Sequence, residues 1–411
     1  MRAFRLSFVG LVAVAQVATM TAVAEDLIAY EVVDEISIPA PLTAEPGDPE
    51  RCRAVVIDQQ QGNCLACHEI PALAEEPLHG TVGPSLAGVA DRYSEGELRL
   101  RLVDPKQTYP DTIMPAYYAR DGLYRVAEKF EGKTILTAQQ VEDVVAFLLT
   151  FREEPPAGRT SGREGFRQVA IDAPEGSPLP WLYSGYYTRG ERTRAMQDDD
   201  LMNPGMLWVA EGERLWDQID GETGKGCLSC HDSAESSMRG VGARYPVYHE
   251  PSGKLISIEQ RINLCRTENM KAEPWEYNSD ELAAMTIFVR HQSRGMPVAV
   301  AVDGPARPFF AKGEEFYYRR RGLFDMSCAQ CHEENFGERL RGNMLSQGHT
   351  NAHPLYFMSG GIDSIPALFE FCNQRVRSEP YAYGSDEYVN LELYVAWRGN
   401  GLAVETPGVR Y

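Results

Sequence analysis

The sequence lacks any apolar run of the roughly 20 residues that a membrane-spanning helix requires. It also lacks an excess of positive charge, because 40 lysines and arginines stand against 59 aspartates and glutamates, for a formal net charge of −19. This balance argues against nucleic acids and anionic membrane surfaces as partners. Low-complexity stretches are absent as well. With 411 residues, of which 43% are hydrophobic, the chain can form two or three ordinary domains.

The N-terminus predicts an exported protein. Arg2 and Arg5 precede an apolar stretch at residues 6–17, and the small residues 22–24 follow it. This order is typical of a secretory signal peptide, and the apolar stretch is too short to span a bilayer. We therefore expect residues 1–24 to be removed and the mature protein to reside in the periplasm.

Nine cysteines in an exported chain would ordinarily indicate disulfides, but their placement indicates haem. Six of them form three C-x-x-C-H motifs that end at His68, His231 and His332, and these six are Cys64, Cys67, Cys227, Cys230, Cys328 and Cys331. In this motif the two thiols bind haem covalently and the histidine binds the iron. One copy could be a zinc or redox motif. Three copies predict three covalently bound c-type haems.

The first motif has a candidate second iron ligand in Met114, which Pro115 follows. A methionine thioether is a soft ligand that raises the potential of a haem. The turn at residues 83–86 is placed so that the Pro84 carbonyl can accept a hydrogen bond from His68. A helix that begins after Thr137 closes the module. The alternative for Met114 is a core methionine without a metal.

The second and third motifs belong to a duplicated unit. Gly212 and Gly313 stand at the same distance before their motifs, and Tyr277 and Tyr383 begin matching Y-x-S-D-E segments. Similarity at a constant offset is the mark of an internal repeat. We expect each of the two segments to open a closing helix, with serine or asparagine positioned to cap it.

The repeat also indicates the second iron ligands. Cys265 and Cys372 occupy equivalent places, ahead of Glu-Pro-Trp and Glu-Pro-Tyr respectively, where the first module has its methionine. Both are predicted to bind iron as thiolates, which stabilise ferric haem. Two alternatives remain at this point: a Cys265–Cys372 disulfide, and His349 or His353 as the ligand of the third iron. No role is assigned to Cys52.

These patterns predict a mainly α protein built from class I cytochrome c-like haem domains, with no strand ladder of any length. We refer to the three haem domains as the first, second and third modules. In chain order we expect a signal peptide at 1–24, the first module at 25–152, a linker at 153–180, the second module at 181–298 and the third module at 299–411.

The chain resembles the SoxAX cytochromes of periplasmic sulfur oxidation. The first module is similar to SoxX in G-N-C-L-A-C-H at 62–68 and M-P-A-Y-Y at 114–118. The other two modules are similar to SoxA in T-R-A-M-Q-D-D-D at 193–200 and A-W-R-G-N-G at 396–401. The family usually consists of two chains, whereas here one SoxX-like and two tandem SoxA-like domains look fused.

The resemblance implies an L-cysteine S-thiosulfotransferase, which joins thiosulfate oxidatively to a cysteine of the carrier protein SoxYZ. It places the chemistry at the haem of His332 and Cys372, with Cys372 as the catalytic residue and as the site of a persulfide. The Met114 haem would then pass electrons to a small acceptor cytochrome c.

The substrate is a dianion, so its binding requires cationic side chains. Arg398, within the shared A-W-R-G-N-G segment, is the first candidate and Arg375 the second. The family usually has an arginine shortly before the active cysteine, but this chain has Glu370 and no basic residue there. Two other functions therefore stay open: a thiosulfate dehydrogenase that forms tetrathionate, and a non-catalytic multihaem electron-transfer cytochrome.

Overall fold

The computed structural model describes residues 27–152, 162–357 and 360–410. The predicted signal peptide, residues 1–24, lies outside these ranges, as does the first part of the predicted linker, residues 153–161. Among the residues that are described, none of the helices has both the length and the apolar character needed to cross a membrane.

Short helices joined by irregular segments dominate all three modules. The first module contains α1 (Pro49–Ile57), α2 (Val89–Arg92), α3 (Glu95–Val103) and α4 (Ala138–Leu148). The second contains α5 (Glu191–Asp198), α6 (Met206–Asp217), α7 (Leu228–His231), α8 (Ala234–Ser237), α9 (Ile258–Leu264) and α10 (Asp280–His291). The third contains α11 (Arg307–Tyr318), α12 (Ile365–Arg375) and α13 (Asp386–Arg398).

The closing helices α4, α10 and α13 begin at the predicted caps. Thr137 accepts a hydrogen bond from the backbone of Gln140, whose side chain bonds back to the backbone of Thr137. Ser279 and Ser385 each accept a hydrogen bond from the backbone N–H three residues further on. Each cap satisfies an N–H group that the first helical turn leaves without a partner.

A glycine lets the opening helix of each repeated module touch its closing helix. Gly212 of α6 packs against the backbone of Ala284 in α10, and Gly313 of α11 packs against that of Asn390 in α13. In the first module Gly47, just ahead of α1, meets α4 in the same way. Any side chain at these positions would collide with a carbonyl oxygen. The equivalent contacts confirm the internal repeat.

Short strands also occur, so the expectation of no strand ladder is wrong. The antiparallel pairs are β1 (Ile171–Asp172) with β2 (Trp181–Leu182), β3 (Val247–His249) with β4 (Lys254–Ile256), and β5 (Arg339–Leu340) with β6 (Asn343–Met344). In a three-stranded sheet, β7 (Leu355–Phe357) lies between antiparallel β8 (Gly361–Asp363) and parallel β9 (Gly408–Arg410). Strands of two or three residues are too short to leave a period-two pattern in the sequence.

A second set of equivalent contacts lies just before the haem motifs of the second and third modules. Gly221 and Gly322 both have φ of +71°, a conformation that favours glycine. The residue after each glycine donates its backbone N–H to a carbonyl, that of Lys271 in the second module and that of Arg377 in the third. We call each such glycine turn, together with the segment that it contacts, the flank of its module.

The first module packs on the flank of the third. Residues 124–127 run beside residues 377–380 and form a β-bridge with them. The Arg125 carbonyl accepts a hydrogen bond from the backbone N–H of Glu379. The Arg125 guanidinium donates at 2.8 Å to the carbonyls of both Glu379 and Pro380. These are mostly backbone contacts, which depend on the path of the chain more than on particular side chains.

The two haem motifs of these modules also touch each other. Arg341, in the turn between β5 and β6, donates its backbone N–H to the Ala66 carbonyl at 2.8 Å and its guanidinium to Asn63 at 2.7 Å. Gln330, between the two cysteines of the third motif, donates to the carbonyl of Thr112 at 3.3 Å. The first and third motifs therefore share an interface.

A buried ion pair holds the segment that precedes α1 on the first module. Arg99 has no exposed surface and donates to Glu142 at 2.8 Å and to the Ile38 carbonyl at 2.7 Å. Glu142 also accepts the backbone N–H of Leu42. Burial opposes the charge on Arg99, but its hydrogen bonds to Glu142 and Glu95 raise its pKa overall.

Replacing Arg99 by methionine should destabilise the first module by about 3–5 kcal/mol, because Glu142 would stay buried without its counter-charge. Urea unfolding of the holoprotein, followed by haem absorbance, measures the loss. Arg152→Met is the matched control, since its pair with Asp91 is exposed on both sides and contributes little. Equal losses in the two variants would contradict the assigned role of Arg99.

Candidate haem sites

The first motif opens into a cavity of about 780 Å³. Cys64, Cys67, His68 and Met114 all line it, so the structure brings together the four residues that the sequence assigned to one haem. The rest of the lining is largely apolar and includes Leu98 and other aliphatic side chains. Apolar walls with a few placed polar groups are typical of cofactor pockets.

His68 is fixed in the orientation that the sequence predicted. Its Nδ1 lies 2.7 Å from the Pro84 carbonyl oxygen, which can only accept a hydrogen bond, so Nδ1 carries the proton and Nε2 is left with a lone pair. Gly83 lies directly against the ring, where a Cβ atom would collide. Burial lowers the pKa of His68 and favours the neutral imidazole that metals bind.

The thiols of this cavity are also strongly desolvated. Burial raises the pKa of both Cys64 and Cys67 to about 12. Free thiols in such a setting stay protonated, which is compatible with thioether bonds to an apolar macrocycle. The cavity volume, the lining and the orientation of His68 together fit a c-type haem.

The third motif repeats the histidine arrangement with different residues. His332 Nδ1 lies 2.9 Å from the Ser346 carbonyl, and Gly348, at φ +74°, lies against the ring. Burial lowers the pKa of His332 as well. The sequence analysis missed Ser346 and Gly348. Gly348, which follows the motif, could have indicated close packing against the histidine ring. No proline stands at Ser346 to indicate which carbonyl accepts the hydrogen bond.

Cys372 lies with the thiols of the third motif. It is near the end of α12, and its side chain is accessible to solvent. Protein surrounds it closely enough that desolvation raises its pKa to about 12, and the neighbouring Cys328 and Cys331 add to the shift while Arg375 opposes it. The structure therefore brings the predicted thiolate ligand to its motif, on an open side of the module.

The second motif is assembled similarly but lies at the surface. Cys265 ends α9 and begins a π-helical turn, Cys265–Met270, of a kind that is frequent at functional sites. Burial is the main cause that raises the pKa of Cys265, and the nearby Cys230 adds to the rise. Trp216 packs 5.8 Å from the His231 ring. The side chain of Leu228, inside the motif, is 45% exposed.

The structure also bears on the alternative roles of the remaining cysteines and histidines. Cys265 and Cys372 are both free thiols, so no disulfide joins them. His349 and His353 are buried, which lowers their pKa values to about 3 and keeps them neutral. His349 bonds to Gln347 at 3.0 Å. Cys52 is a fully buried thiol of α1 near Cys64, and burial raises its pKa.

The two candidate substrate arginines lie in different surroundings. Arg375 is exposed, with its guanidinium 4.7 Å from the centre of the Phe371 ring. Arg398 is fully buried, pairs with Glu333 at 2.8 Å and lies over the Tyr317 ring at 4.5 Å. Its Nε and Nη2 atoms have no hydrogen-bond partner among the described residues. Two unpartnered donors on a buried cation can accommodate an anion.

Comparison with known proteins agrees with this geometry. A family model described as cytochrome c matches residues 58–152, and one described as SoxA/TsdA, cytochrome c domain, matches residues 211–298. The L-cysteine S-thiosulfotransferase subunit SoxA of Pseudaminobacter salicylatoxidans is 43% identical over 240 residues, which covers 58% of this chain and 84% of the relative. The chain belongs to the SoxA family. The SoxA subunit of Rhodovulum sulfidophilum is 45% identical over 230 residues, covering 56% of this chain and 80% of the relative.

A solved structure supports SoxA membership at the level of the fold. The crystal structure of SoxXA from P. pantotrophus matches with a TM-score of 0.57 and 41% sequence identity, over 59% of this chain and 93% of that chain. The predicted resemblance to SoxA is thereby confirmed, as are cytochrome c domains within the first and second modules. The SoxX-like identity of the first module, the number of haems and the individual iron ligands remain predictions.

Gly348→Ala should displace His332, because the added methyl group would lie about 3 Å from the ring. We expect a lower unfolding midpoint and an altered absorption spectrum of the third haem. Gly132→Ala is the matched control, since Gly132 also has a positive φ, of +68°, but nothing lies near its Cβ position. A spectrum unchanged in Gly348→Ala, or changed equally in Gly132→Ala, would show that Gly348 does not position the histidine.

Proposed function

We propose that this chain is an oxidative L-cysteine S-thiosulfotransferase of the periplasm, a SoxX–SoxA fusion that joins thiosulfate to the carrier cysteine of SoxYZ. The observation that carries the proposal is the placement of the Cys372 thiol beside Cys328 and Cys331 of the third haem motif. The proposal is also supported by SoxA relatives that are named as subunits of L-cysteine S-thiosulfotransferases.

Three c-type haems are proposed, one for each motif. Their covalent attachment uses the paired cysteines, and the proposed iron ligands are His68 with Met114, His231 with Cys265, and His332 with Cys372. When bound, each haem supplies a site that accepts and releases single electrons. The hydrogen bonds of His68 and His332 to backbone carbonyls hold these two rings in place for that purpose.

The overall reaction joins two sulfur atoms and releases two electrons. The S–H bond of the carrier cysteine breaks, a bond forms between its sulfur and the outer sulfur of thiosulfate, and the products are a cysteine S-thiosulfonate, one proton and two electrons. The electrons leave to a small acceptor cytochrome c. Cys372, which the family resemblance makes a persulfide, is the protein group that meets the reacting sulfur atoms.

Thiosulfate binding is assigned to Arg398 and Arg375. The unpartnered Nε and Nη2 of Arg398 offer two hydrogen bonds in a buried setting, where charge-assisted bonds are strongest. Burial raises the pKa of Cys372, and the charge of Arg375, which can approach from solvent, opposes that rise. Glu370, which stands where the family has arginine, accepts a hydrogen bond from the Tyr383 hydroxyl. It therefore leaves the approach to Cys372 without a free carboxylate.

The contact between the first and third motifs gives electrons a short way out of the third module. Gln330 bonds to the carbonyls of Asp111 and Thr112, close to Met114, and Cys67 lies near enough to Cys331 to raise its pKa. We therefore propose that electrons pass directly from the third module to the first, whose methionine-ligated haem has the higher potential.

Replacing Cys372 by alanine should abolish adduct formation while leaving the three haems attached. Oxidised protein, thiosulfate and SoxYZ are incubated together and the carrier is weighed by mass spectrometry, with the haem count taken from the mass of the enzyme. Cys52→Ala is the control and should retain activity, since that thiol is sealed in the core. Wild-type protein that makes no adduct, or makes tetrathionate without the carrier, would favour the alternative functions.

Arg398→Gln should raise the KM for thiosulfate and lower kcat/KM by about 10–100-fold, because one charge-assisted contact contributes about 1.5–3 kcal/mol. Steady-state kinetics of adduct formation measure the change. Arg398→Lys, which keeps the charge but not the fork of donors, should recover part of the loss. The matched variant Arg375→Gln should have a smaller effect because solvent surrounds that side chain. A reversed order would exchange the two assignments.

A further inference from the structure

The internal repeat sets up a direct comparison of two equivalent flanks. In the third module the flank consists of the Gly322 turn and the segment at 377–380, and the motif residues Ala329 and Gln330 adjoin it. The equivalent flank of the second module consists of the Gly221 turn and the segment at 271–274, and Leu228 and Ser229 adjoin it. Backbone hydrogen bonds from turn to segment are the same in both, as are the β-bridges Asp220–Lys225 and Arg321–Met326 within the turns.

The flank of the third module is covered by a cytochrome domain. Gly322 donates its backbone N–H to the carbonyl of Tyr124 in the first module, and Leu323 is 2% exposed within the core of that module. Arg377 donates to the Gln60 carbonyl and lies between the rings of Phe130 and Phe324. Together with the contacts of Gln330, these make the flank a complete docking surface for a monohaem domain.

The flank of the second module has the same backbone, but within residues 27–152, 162–357 and 360–410 no domain lies upon it. Glu222, which replaces Leu323, is exposed, as is Lys271, which replaces Arg377. Ile219 is 68% exposed and Leu228 is 45% exposed.

The charges around this flank indicate the kind of partner. Exposed acidic side chains on the segments that carry or adjoin Ile219 and Leu228 include Asp217, Glu222, Asp232, Glu235 and Glu273, and exposed basic side chains on these segments include Arg214, Lys225 and Lys271. The whole chain carries a formal charge of −19, which adds long-range attraction for a cation. An apolar centre with a charged rim is the usual composition of a transient interface.

We propose that the flank of the second module is a docking surface for a separate electron carrier, a small monohaem cytochrome with positive charge around its haem edge. It would bind where the first module binds on the third. The proposal rests on the proposed function in one respect, since it requires a haem at Cys227 and Cys230. It assigns the second haem a role as an electron port to that carrier, independent of the contact that links the first and third modules.

The test uses the haem-loaded full chain, reduced with dithionite, and mitochondrial cytochrome c as a basic monohaem probe. Stopped-flow absorbance gives the second-order rate of probe reduction at low and high salt. The double variant Glu222→Lys/Glu273→Lys reverses two charges on the flank. Because the first module is also proposed to pass electrons to a small cytochrome c, each module should contribute to probe reduction. The variant should lower the contribution of the second module at least about tenfold at low salt, and the difference should shrink at high salt as screening increases.

The control is Glu191→Lys/Glu250→Lys, which makes the same change of charge at exposed positions on α5 and on the β3–β4 turn. It should stay within about twofold of the unaltered protein. Equal rates in the two double variants, or a rate that does not depend on salt, would overturn the proposal. So would sedimentation showing that the flank instead joins two copies of this chain.

Thiosulfotransferase activity is measured in the same preparations with ferricyanide as the electron acceptor. Because ferricyanide needs no protein docking surface, both double variants should form the SoxYZ adduct at the unaltered rate. Loss of probe reduction with full adduct formation supports the docking surface. Failure of adduct formation in the unaltered protein counts against the proposed function, and leaves the comparison of probe reduction to decide the docking surface by itself.

Discussion

The ring nitrogens of His68 and His332 must each face a hydrogen-bond acceptor on one side and open space on the other. The structure meets this requirement with a backbone carbonyl, Pro84 or Ser346, and with a glycine packed against the ring. A carbonyl is a rigid acceptor because its position follows from the path of the chain. The loops that follow each motif are therefore as important as the motif, and the helices around them serve to hold those loops in place.

The same dependence on backbone geometry appears between the modules. Glycines allow α6 to touch α10 and α11 to touch α13. Residues 124–127 of the first module bind residues 377–380 of the third through main-chain hydrogen bonds. Contacts of this type tolerate substitution of side chains. This explains how two repeats can keep one architecture while their surfaces diverge, as Glu222 and Leu323 have done at equivalent positions.

The sequence was sufficient for features that are encoded locally. The C-x-x-C-H motifs, the caps at Thr137, Ser279 and Ser385, and the acceptor role of Pro84 all follow from short spacings, and the structure confirms the caps and the Pro84 contact. Features that depend on long-range packing could not be predicted. The burial of Arg398, the contact of Ser346 with His332 and the short β-ladders arise only when distant segments meet, and no local pattern of residues encodes them.

One consequence follows from the way the first and third modules share a chain. Two separate subunits would have to offset the loss of translational freedom whenever they associate. On one chain the partner is always present at a high effective concentration, so a modest interface remains closed. The proposed electron transfer between these modules is then a first-order process, whose rate depends on the spacing of the two motifs and not on the concentration of the protein.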